Sequence, residues 1–362
     1  MHFGRHGEGG CCAVPRTTYG QAIELALSTA MAEDDRILVL GEDVQMLRRS
    51  LFLRFGAQRV RNTPISESAM LGTALGAAMA GWRPMVEIMF VDFVTVAMDM
   101  LVNPAAKLAT FSNGRWQAPL VVRAACGGGY GDAGQHEQAL WGLLAGVPGL
   151  SVVVPSTPAD AAGLMLASLH DPGPVVFLEH KLLSRDWLEA VGGHSRARAD
   201  LDVPEDGAVG EVSSPPEATP LGEAVLRRTG KDVALVGVGV GVHRCLSAAA
   251  TLADEGIDAA VLDLRSVSPL DRDAVAQLAA AAGHVLVVDE DYTRGGLSGE
   301  IAAVIAERDT GARFGRVTCE GTIPYARDLE RQALPNVQRI VSAVHVLLGR
   351  ERRPAVPSQR AR

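Results

Sequence analysis

Short apolar runs alternate with helical patterns along most of the chain, and this alternation constrains the fold more than any other feature. Runs at residues 84–90, 119–123, 151–154 and 174–179 predict strands, with helical stretches between them. Strands that are apolar throughout, without a polar face, are typical of a parallel sheet covered by helices on both faces. The sequence therefore predicts a doubly wound α/β fold.

A polar segment interrupts the alternation at residues 186–220, where Pro, Gly, Ser and charged residues dominate without periodicity. The alternation then resumes, and a chain of 362 residues is too long for one ordinary core. We therefore expect two doubly wound domains, residues 17–185 and 221–350, joined by a linker at 186–220. Residues 1–16 and 351–362 are expected to form a disordered leader and tail.

Composition narrows the possible partners and the compartment. A net charge of −8 argues against nucleic acid or an anionic membrane as the main partner. The five cysteines are scattered, odd in number and without zinc-ligand spacing, which favours free thiols in a reducing compartment. No apolar run reaches the roughly 18 residues of a membrane span. The sequence therefore predicts a cytoplasmic protein.

Three residues with useful chemistry each follow a predicted strand of the first domain. They are Glu67, Phe93 and His136. Because α/β sheets place ligands at the carboxyl ends of parallel strands, we expect the three side chains to meet at one edge of the sheet. An ionised carboxylate is costly in apolar surroundings, so Glu67 is expected to be buried beside a partner that shares its proton.

Each of these residues also has a simpler interpretation. Glu67 begins a predicted helix, where an acid is favoured by the helix dipole alone. His136 ends a glycine-containing stretch, residues 131–136, that is expected to be a flexible loop, and a lone loop histidine is more often structural or solvated than catalytic. The residue types by themselves leave these interpretations open.

The second domain contains a partial imitation of a dinucleotide-binding turn. Gly237, Gly239 and Gly241 follow a predicted strand and precede a helix, and Asp263 ends the next strand. Val242 stands where the fingerprint requires its third glycine. This pattern favours a structural turn over nucleotide binding.

A series of motifs in fixed order carries a family resemblance. They read TPISE, GWRPMVEIMFVDF, LVNPAAKL, AGQHEQA, VPGLSVVVPSTPADAAGLM, PVVFLEHKLL, GKDVALV, DLRSVSPLD and IPYARDLERQALP. From about residue 18 to residue 344 the chain resembles the beta subunits of thiamine-diphosphate-dependent 2-oxo acid dehydrogenases, including those acting on pyruvate, branched-chain 2-oxo acids and acetoin. The resemblance implies a transketolase-like pyrimidine-binding domain followed by a transketolase C-terminal-like domain.

The resemblance also implies site roles. Glu67 corresponds to the glutamate that hydrogen-bonds the aminopyrimidine nitrogen of thiamine diphosphate, Phe93 to the aromatic residue stacked on that ring, and Met89 to a neighbouring contact. His136 corresponds to the histidine that assists proton transfer or positions the acyl acceptor. A structural monovalent cation such as potassium would be held by backbone carbonyls, those of Leu120, Ser168, Leu169, Asp171 and Gly173.

Half of the expected cofactor site is missing. Thiamine enzymes hold the diphosphate through magnesium with a Gly-Asp-Gly motif followed by an Asn, and the nearest imitation here is Gly131-Asp132-Ala133. The resemblance therefore implies an alpha subunit that holds magnesium and the diphosphate in an α2β2 assembly, without which this chain is inert. It further implies transfer of the acyl group to a lipoyl acyltransferase.

Two departures from the family pattern open alternatives. The segment at residues 44–55 is short and contains Arg48 and Arg49, where relatives have a glycine-rich segment near the active-site entrance, and Glu137 replaces a common serine beside His136. These changes suit an acyloin synthase that does not use lipoamide, the main alternative to a dehydrogenase component. A non-catalytic scaffold subunit is the third possibility.

Overall fold

The computed structural model describes residues 16–184 and 205–350. The predicted leader, apart from residue 16, lies outside these residues, as do the tail and residues 186–204 of the predicted linker. Two large sheets, each covered by helices on both faces, account for most of what is described. The predicted α/β class is confirmed.

The first sheet has seven strands, six of them parallel. In chain order the parallel strands are β2 (Ile37–Gly41), β3 (Val60–Asn62), β4 (Arg83–Phe90), β5 (Val121–Cys126), β6 (Ser151–Val153) and β7 (Val175–His180). Across the sheet the order is β6-β7-β5-β4-β2-β3. The strands β4 and β5 therefore lie side by side near its centre, with their carboxyl ends at the same edge.

Helices connect these strands. They include α1 (Tyr19–Glu33), α2 (Val44–Leu47), α3 (Arg49–Phe55), α4 (Glu67–Met79), α8 (Trp141–Ala145) and α9 (Pro158–His170). Thr18 is the N-cap of α1 and forms a capping box with Gln21.

The chain after β4 does not form one regular helix. Residues 91–111 form a succession of short helical segments instead: α5 (Val91–Val94), a 3₁₀ turn (Thr95–Ala97), α6 (Met98–Met100), a π turn (Leu101–Ala105) and α7 (Ala106–Phe111). Pro104 lies inside the π turn. Since proline has no N–H and its ring clashes with the preceding turn, a regular helix cannot continue through this position.

The second sheet lies in the second half of the chain and has five strands. They are β9 (Val225–Arg228), β10 (Val233–Gly237), β11 (Ala259–Asp263), β13 (His284–Tyr292) and β14 (Arg313–Cys319). Across the sheet the order is β14-β13-β10-β11-β9. The helices are α11 (Val240–Asp254), α12 (Arg272–Ala282), α13 (Leu297–Glu307), α14 (Arg327–Ala333) and α15 (Val337–Leu347). All strand pairs are parallel except β9 with β11.

Two short strands join distant parts of the chain. The strand β12 (Ser266–Ser268) pairs antiparallel with β6 and so extends the first sheet from the second half of the sequence. Within the predicted linker, the helix α10 (Glu205–Ala208) leads into β8 (Val209–Glu211), which pairs antiparallel with β1 (Arg16–Thr18). The part of the linker that is described therefore contains regular structure, and the bounds expected for the linker and the two domains stay a prediction.

The glycine-rich turn of the second half serves close packing. Gly239 is the N-cap of α11 with φ of 54°, a conformation that favours glycine. A Cβ on Gly241 would lie 3.2 Å from the carbonyl oxygen of Val288, so α11 approaches β13 at backbone distance. No helix within residues 16–184 and 205–350 combines the length and apolar character needed to cross a membrane.

Candidate functional site

Three rings meet where β4 and β5 end. Phe90 closes β4, Phe93 lies in the helical turn that follows, and His136 is carried by the segment after β5, here named the histidine loop (residues 127–137). The ring of His136 is 5.2 Å from that of Phe90 and 5.6 Å from that of Phe93, with interplanar angles of 78° and 83°. The structure thus brings Phe93 and His136 together, as their positions after neighbouring parallel strands predict.

Met89 lies beside the same rings. Its half-buried side chain packs, like that of Phe93, against a small cluster formed by Phe90, Ala125 and Tyr130. Phe90 and Phe93 meet edge to face at 5.6 Å and 79°, an arrangement that aromatic pairs favour. The cluster fixes the orientation of the Phe93 ring while part of that ring remains accessible.

Lys181 contacts this ring cluster, and nothing in the sequence pattern predicts its role. It follows β7, is fully buried, and its Nζ donates to the carbonyl oxygen of His136 at 2.5 Å. The same nitrogen lies 5.3 Å from the ring centre of Phe90 and 4.9 Å from that of Tyr130. Burial lowers the pKa of Lys181, and the charge of Glu137 acts in the opposite direction. Lys181 therefore ties the backbone of the histidine to the aromatic cluster.

The histidine loop is not the flexible segment that its glycines predict. Five consecutive backbone N–H groups donate to carboxylates: Gly128 to Glu290, Gly129 and Gly131 to Glu330, and Tyr130 and Asp132 to Glu137. Glycines allow the close approach this requires, since a Cβ on Gly127 would lie 2.0 Å from Nε2 of His180. The Gly-Asp-Ala imitation of the diphosphate motif belongs to this loop.

Glu137 faces the loop backbone. Its Oε1 accepts from the N–H groups of Tyr130 at 2.9 Å and Asp132 at 3.0 Å, and its side chain is buried. Burial raises the pKa of Glu137 to about 8, and the nearby Glu330 adds to the rise. The residue that departs from the family pattern is thus part of the scaffold that holds the loop.

Glu67 is the first residue of α4, at the same edge of the sheet. The expectation that it is buried is wrong for this chain: its side chain is half-exposed, because the start of α4 lies at the open edge of the sheet. Within the described parts of the chain no hydrogen bond or ion pair engages its carboxylate. The next residue, Ser68, donates to the carbonyl oxygen of Val96 at 2.7 Å, which ties this helix start to the segment after Phe93.

Arg48 forms a largely buried ion pair and is not exposed at an active-site entrance. Its guanidinium donates to both oxygens of Glu87, at 2.9 and 2.7 Å, and its side chain is only 12% exposed. Arg123 binds the same carboxylate at 3.2 Å and also pairs with Glu179. Burial alone would raise the pKa of Glu87, but the charges of the two arginines hold it at about 2. The short 44–55 segment is therefore anchored to the sheet by a buried ion pair.

Two of the five expected cation ligands, Leu169 and Asp171, already have a cationic partner. Nη1 of Arg83 donates to the carbonyl oxygens of Leu169, at 2.8 Å, and Asp171, at 3.3 Å. The carbonyl oxygens of Leu120 and Ser168 accept backbone N–H groups, from Val175 and Asp171. These carbonyls do not fit a vacant cation site, since a metal ion would have to displace the guanidinium or lie close to its charge.

Comparison with known proteins decides the family. Residues 16–186 match the transketolase pyrimidine-binding domain, and residues 222–340 match the transketolase C-terminal domain. The 2-oxoisovalerate dehydrogenase subunit beta of Bacillus subtilis is 38% identical over 91% of this chain and 98% of its own length. The chain belongs to the family of 2-oxo acid and acetoin dehydrogenase beta subunits.

Other members of the family are almost as similar. The acetoin:2,6-dichlorophenolindophenol oxidoreductase subunit beta of Cupriavidus necator is 37% identical, with 89% of this chain and 94% of the relative covered. The pyruvate dehydrogenase E1 component subunit beta of Rhizobium meliloti is 36% identical, with 90% and 69% covered. The resemblance noted from the motifs is therefore confirmed at the level of the family.

A solved structure agrees in fold. The chain titled "Split gene transketolase, inactive beta4 tetramer" matches with a TM-score of 0.74 and 23% identity, covering 92% of this chain and 99% of that one. At this identity the match concerns the fold alone. It confirms a transketolase-like arrangement of two α/β units for the beta subunit described here.

Proposed function

We propose that this beta subunit contributes half of a thiamine diphosphate site in a 2-oxo acid dehydrogenase or an acetoin-cleaving relative. The single observation that carries the proposal is the meeting of Phe93 and His136 at the edge of the sheet where Glu67 also lies. When bound, thiamine diphosphate supplies a carbon centre that accepts the electrons released when a bond next to the substrate carbonyl breaks. The residues of this chain hold and orient it.

Each residue has a distinct task in the proposal. The ring of Phe93, fixed by Phe90 and partly accessible, would bind the face of the pyrimidine, with Met89 at its side. The carboxylate of Glu67, which has no partner within the described residues, would share a proton with a ring nitrogen. His136, held by Lys181, would move a proton at the substrate or position the acyl acceptor.

The proposed partners follow from the names of the relatives and from the incomplete site. Relatives are named as beta subunits of 2-oxoisovalerate, acetoin and pyruvate dehydrogenases, which supports an alpha subunit, an α2β2 assembly and activity only in that assembly. In the proposal the alpha subunit holds magnesium and the diphosphate, and a lipoyl acyltransferase accepts the acyl group. Nucleic acid and membranes are not proposed as partners.

Two further proposals concern the location of the protein and a bound potassium ion. A cytoplasmic location rests on the cysteine usage of the sequence. Potassium at the carbonyls of Leu120, Ser168, Leu169, Asp171 and Gly173 is not supported by the contacts of Arg83, and no step of the proposed function uses it.

Co-expression with the alpha subunit tests the proposal. We expect the purified pair to bind thiamine diphosphate by calorimetry in the presence of magnesium, and to cleave pyruvate, a branched-chain 2-oxo acid or acetoin. Addition of a lipoylated acceptor distinguishes a dehydrogenase component, which forms acyl-lipoamide, from an acyloin synthase, which forms a carbon–carbon bond without it. A pair that forms but neither binds the cofactor nor cleaves any of these substrates would leave the scaffold alternative.

A further inference from the structure

The histidine loop is held from both halves of the chain. Glu137 belongs to the loop itself, whereas Glu330 lies in α14 and is separated from Gly129 by 201 residues. The two carboxylates alternate along the backbone: Oε1 of Glu330 accepts from Gly129 and Gly131, and Oε1 of Glu137 accepts from Tyr130 and Asp132. Two acidic groups therefore bind alternate N–H groups of one short stretch of backbone.

The second oxygens of the two carboxyl groups differ. Oε2 of Glu330 accepts from Nη1 of Arg327 at 3.2 Å, so this group is satisfied as a carboxylate. Oε2 of Glu137 is buried and has no donor within the described residues, but the side chain of Glu137 lies within hydrogen-bonding reach of Glu330. When Glu137 is protonated, its Oε2–H can therefore donate a hydrogen bond to Glu330. This gives the orphan oxygen a partner and removes one of two like charges.

The charges around Glu137 are consistent with a protonated carboxyl group at this residue. Lys181 on the β7 side supplies positive charge and the Asp132 N–H binds Glu137; both favour the ionised form of Glu137. Arg327 on α14 faces Glu330. Burial and the charge of Glu330 oppose ionisation of Glu137, and together they raise its pKa to about 8. At neutral pH Glu137 therefore keeps its proton.

The loop that this pair grips carries the imidazole. His136 directly precedes Glu137, its own N–H donates to the carbonyl oxygen of Ala133 at 3.1 Å, and its carbonyl oxygen is held by Lys181. A displacement of the loop backbone would therefore move the His136 ring away from Phe90 and Phe93. We propose that Glu137 and Glu330 are positioning residues that share one proton while both bind the backbone of the histidine loop, and so keep His136 in place. The relevance to turnover rests on the proposed function.

The proposal has a definite pH signature. When Glu137 ionises, it gains a negative charge within hydrogen-bonding reach of Glu330 and has no proton left to donate to it, so the hold on His136 weakens. Turnover should therefore fall as the pH rises above about 8. In Glu137→Gln the amide keeps both halves of the interaction at every pH, because its oxygen accepts the two backbone N–H groups and its NH₂ donates to Glu330.

The test uses the complex with the alpha subunit and compares wild type, Glu137→Gln, Glu137→Ala and the exposed control Glu33→Gln. Between about pH 6 and about pH 9.5, we expect kcat of wild type and Glu33→Gln to fall roughly tenfold per unit above about 8, while Glu137→Gln stays within about twofold. Glu137→Ala should lose activity at all pH values. An alkaline limb in Glu137→Gln identical to that of the wild type would overturn the proposal.

A second measurement does not depend on any substrate. Because the pKa of Glu137 is raised in the folded state, the native protein keeps a proton that the unfolded chain loses, and stability should fall with rising pH from about 4.5 to about 8. We expect the melting temperature of Glu137→Gln relative to wild type to rise by several degrees across this interval. If no substrate is cleaved but this shift appears, the proposed function fails and the proton-sharing pair stands. If the shift is absent, the pair itself is refuted.

Discussion

The imidazole of His136 stands edge-on to the ring of Phe93, with 5.6 Å between ring centres and 83° between planes. Both residues reach this position from the ends of neighbouring parallel strands, β4 and β5. The contact places a flat apolar surface beside an imidazole. In the proposed function, this arrangement lets Phe93 bind the pyrimidine ring while His136 acts on a substrate next to it.

Replacing Phe93 by Ala should weaken cofactor binding without unfolding the protein. The substitution removes the half-exposed ring and its edge-to-face contacts with Phe90 and His136. Since stacking and aromatic contacts contribute roughly 1 kcal/mol each, we expect about a tenfold or larger loss of thiamine diphosphate affinity, measured by calorimetry on the alpha–beta complex. Phe111→Ala, at an exposed phenylalanine, is the control. Unchanged affinity in the Phe93 variant would contradict the stacking role.

Replacing Glu67 by Gln should abolish turnover while leaving the fold intact. The amide keeps the size of the side chain but cannot donate and recover a proton, and such a loss typically costs about 10²–10⁴-fold in rate. Stability should hardly change, since the carboxylate has no partner within the described residues. Rates of the alpha–beta complex and melting temperatures would be compared with those of Glu42→Gln, a neighbouring acid. Near-normal turnover in Glu67→Gln would show that the assigned role is wrong.

The strands and the pairing of neighbouring strands could be predicted from the sequence, whereas contacts between residues far apart in the sequence could not. The strands could be predicted because their apolar runs leave few other conformations, and the meeting of Phe93 with His136 follows from parallel pairing of β4 and β5. Glu290 and Glu330 could not be assigned to the histidine loop, because they approach it from 162 and 201 residues away through docking of the second sheet. The burial of Glu67 depends on what covers the edge of the sheet, which its own residue type does not encode.

Removing Arg48 should destabilise the subunit. Loss of one partner from a buried ion pair typically costs about 3–5 kcal/mol, and Arg123 remains to compensate part of the Glu87 charge, so we expect Arg48→Met to lose about 2–4 kcal/mol in chemical denaturation. The adjacent, exposed Arg49→Ala is the matched control and should change the free energy of unfolding by less than about 0.5 kcal/mol. Equal stability of the two variants would contradict a structural role for Arg48.

The same ion pair predicts the response to acid. The pKa of Glu87 is lowered to about 2 in the folded protein, below its ordinary value of 4.5, so its contribution is complete above about pH 4.5 and is lost as the pH falls towards about 2. The melting temperature of the wild type should therefore fall more steeply than that of Glu87→Gln over this interval. Parallel melting curves of the two proteins would show that Glu87 does not titrate as described.

The contacts of Arg83 predict how the protein responds to potassium. Its guanidinium already donates to the carbonyl oxygens of Leu169 and Asp171, and a monovalent cation placed there would meet a like charge only a few ångströms away. Replacing tetramethylammonium chloride by potassium chloride at equal ionic strength should therefore leave the melting temperature of the wild type unchanged. In Arg83→Gln the carbonyls lose their charged donor, which should cost about 1–3 kcal/mol, and potassium should restore part of that loss. Arg36→Gln, at a more exposed arginine, controls for the removal of charge. A rise in the wild-type melting temperature that is specific to potassium would mean that the cation binds despite the guanidinium, as the family resemblance implies.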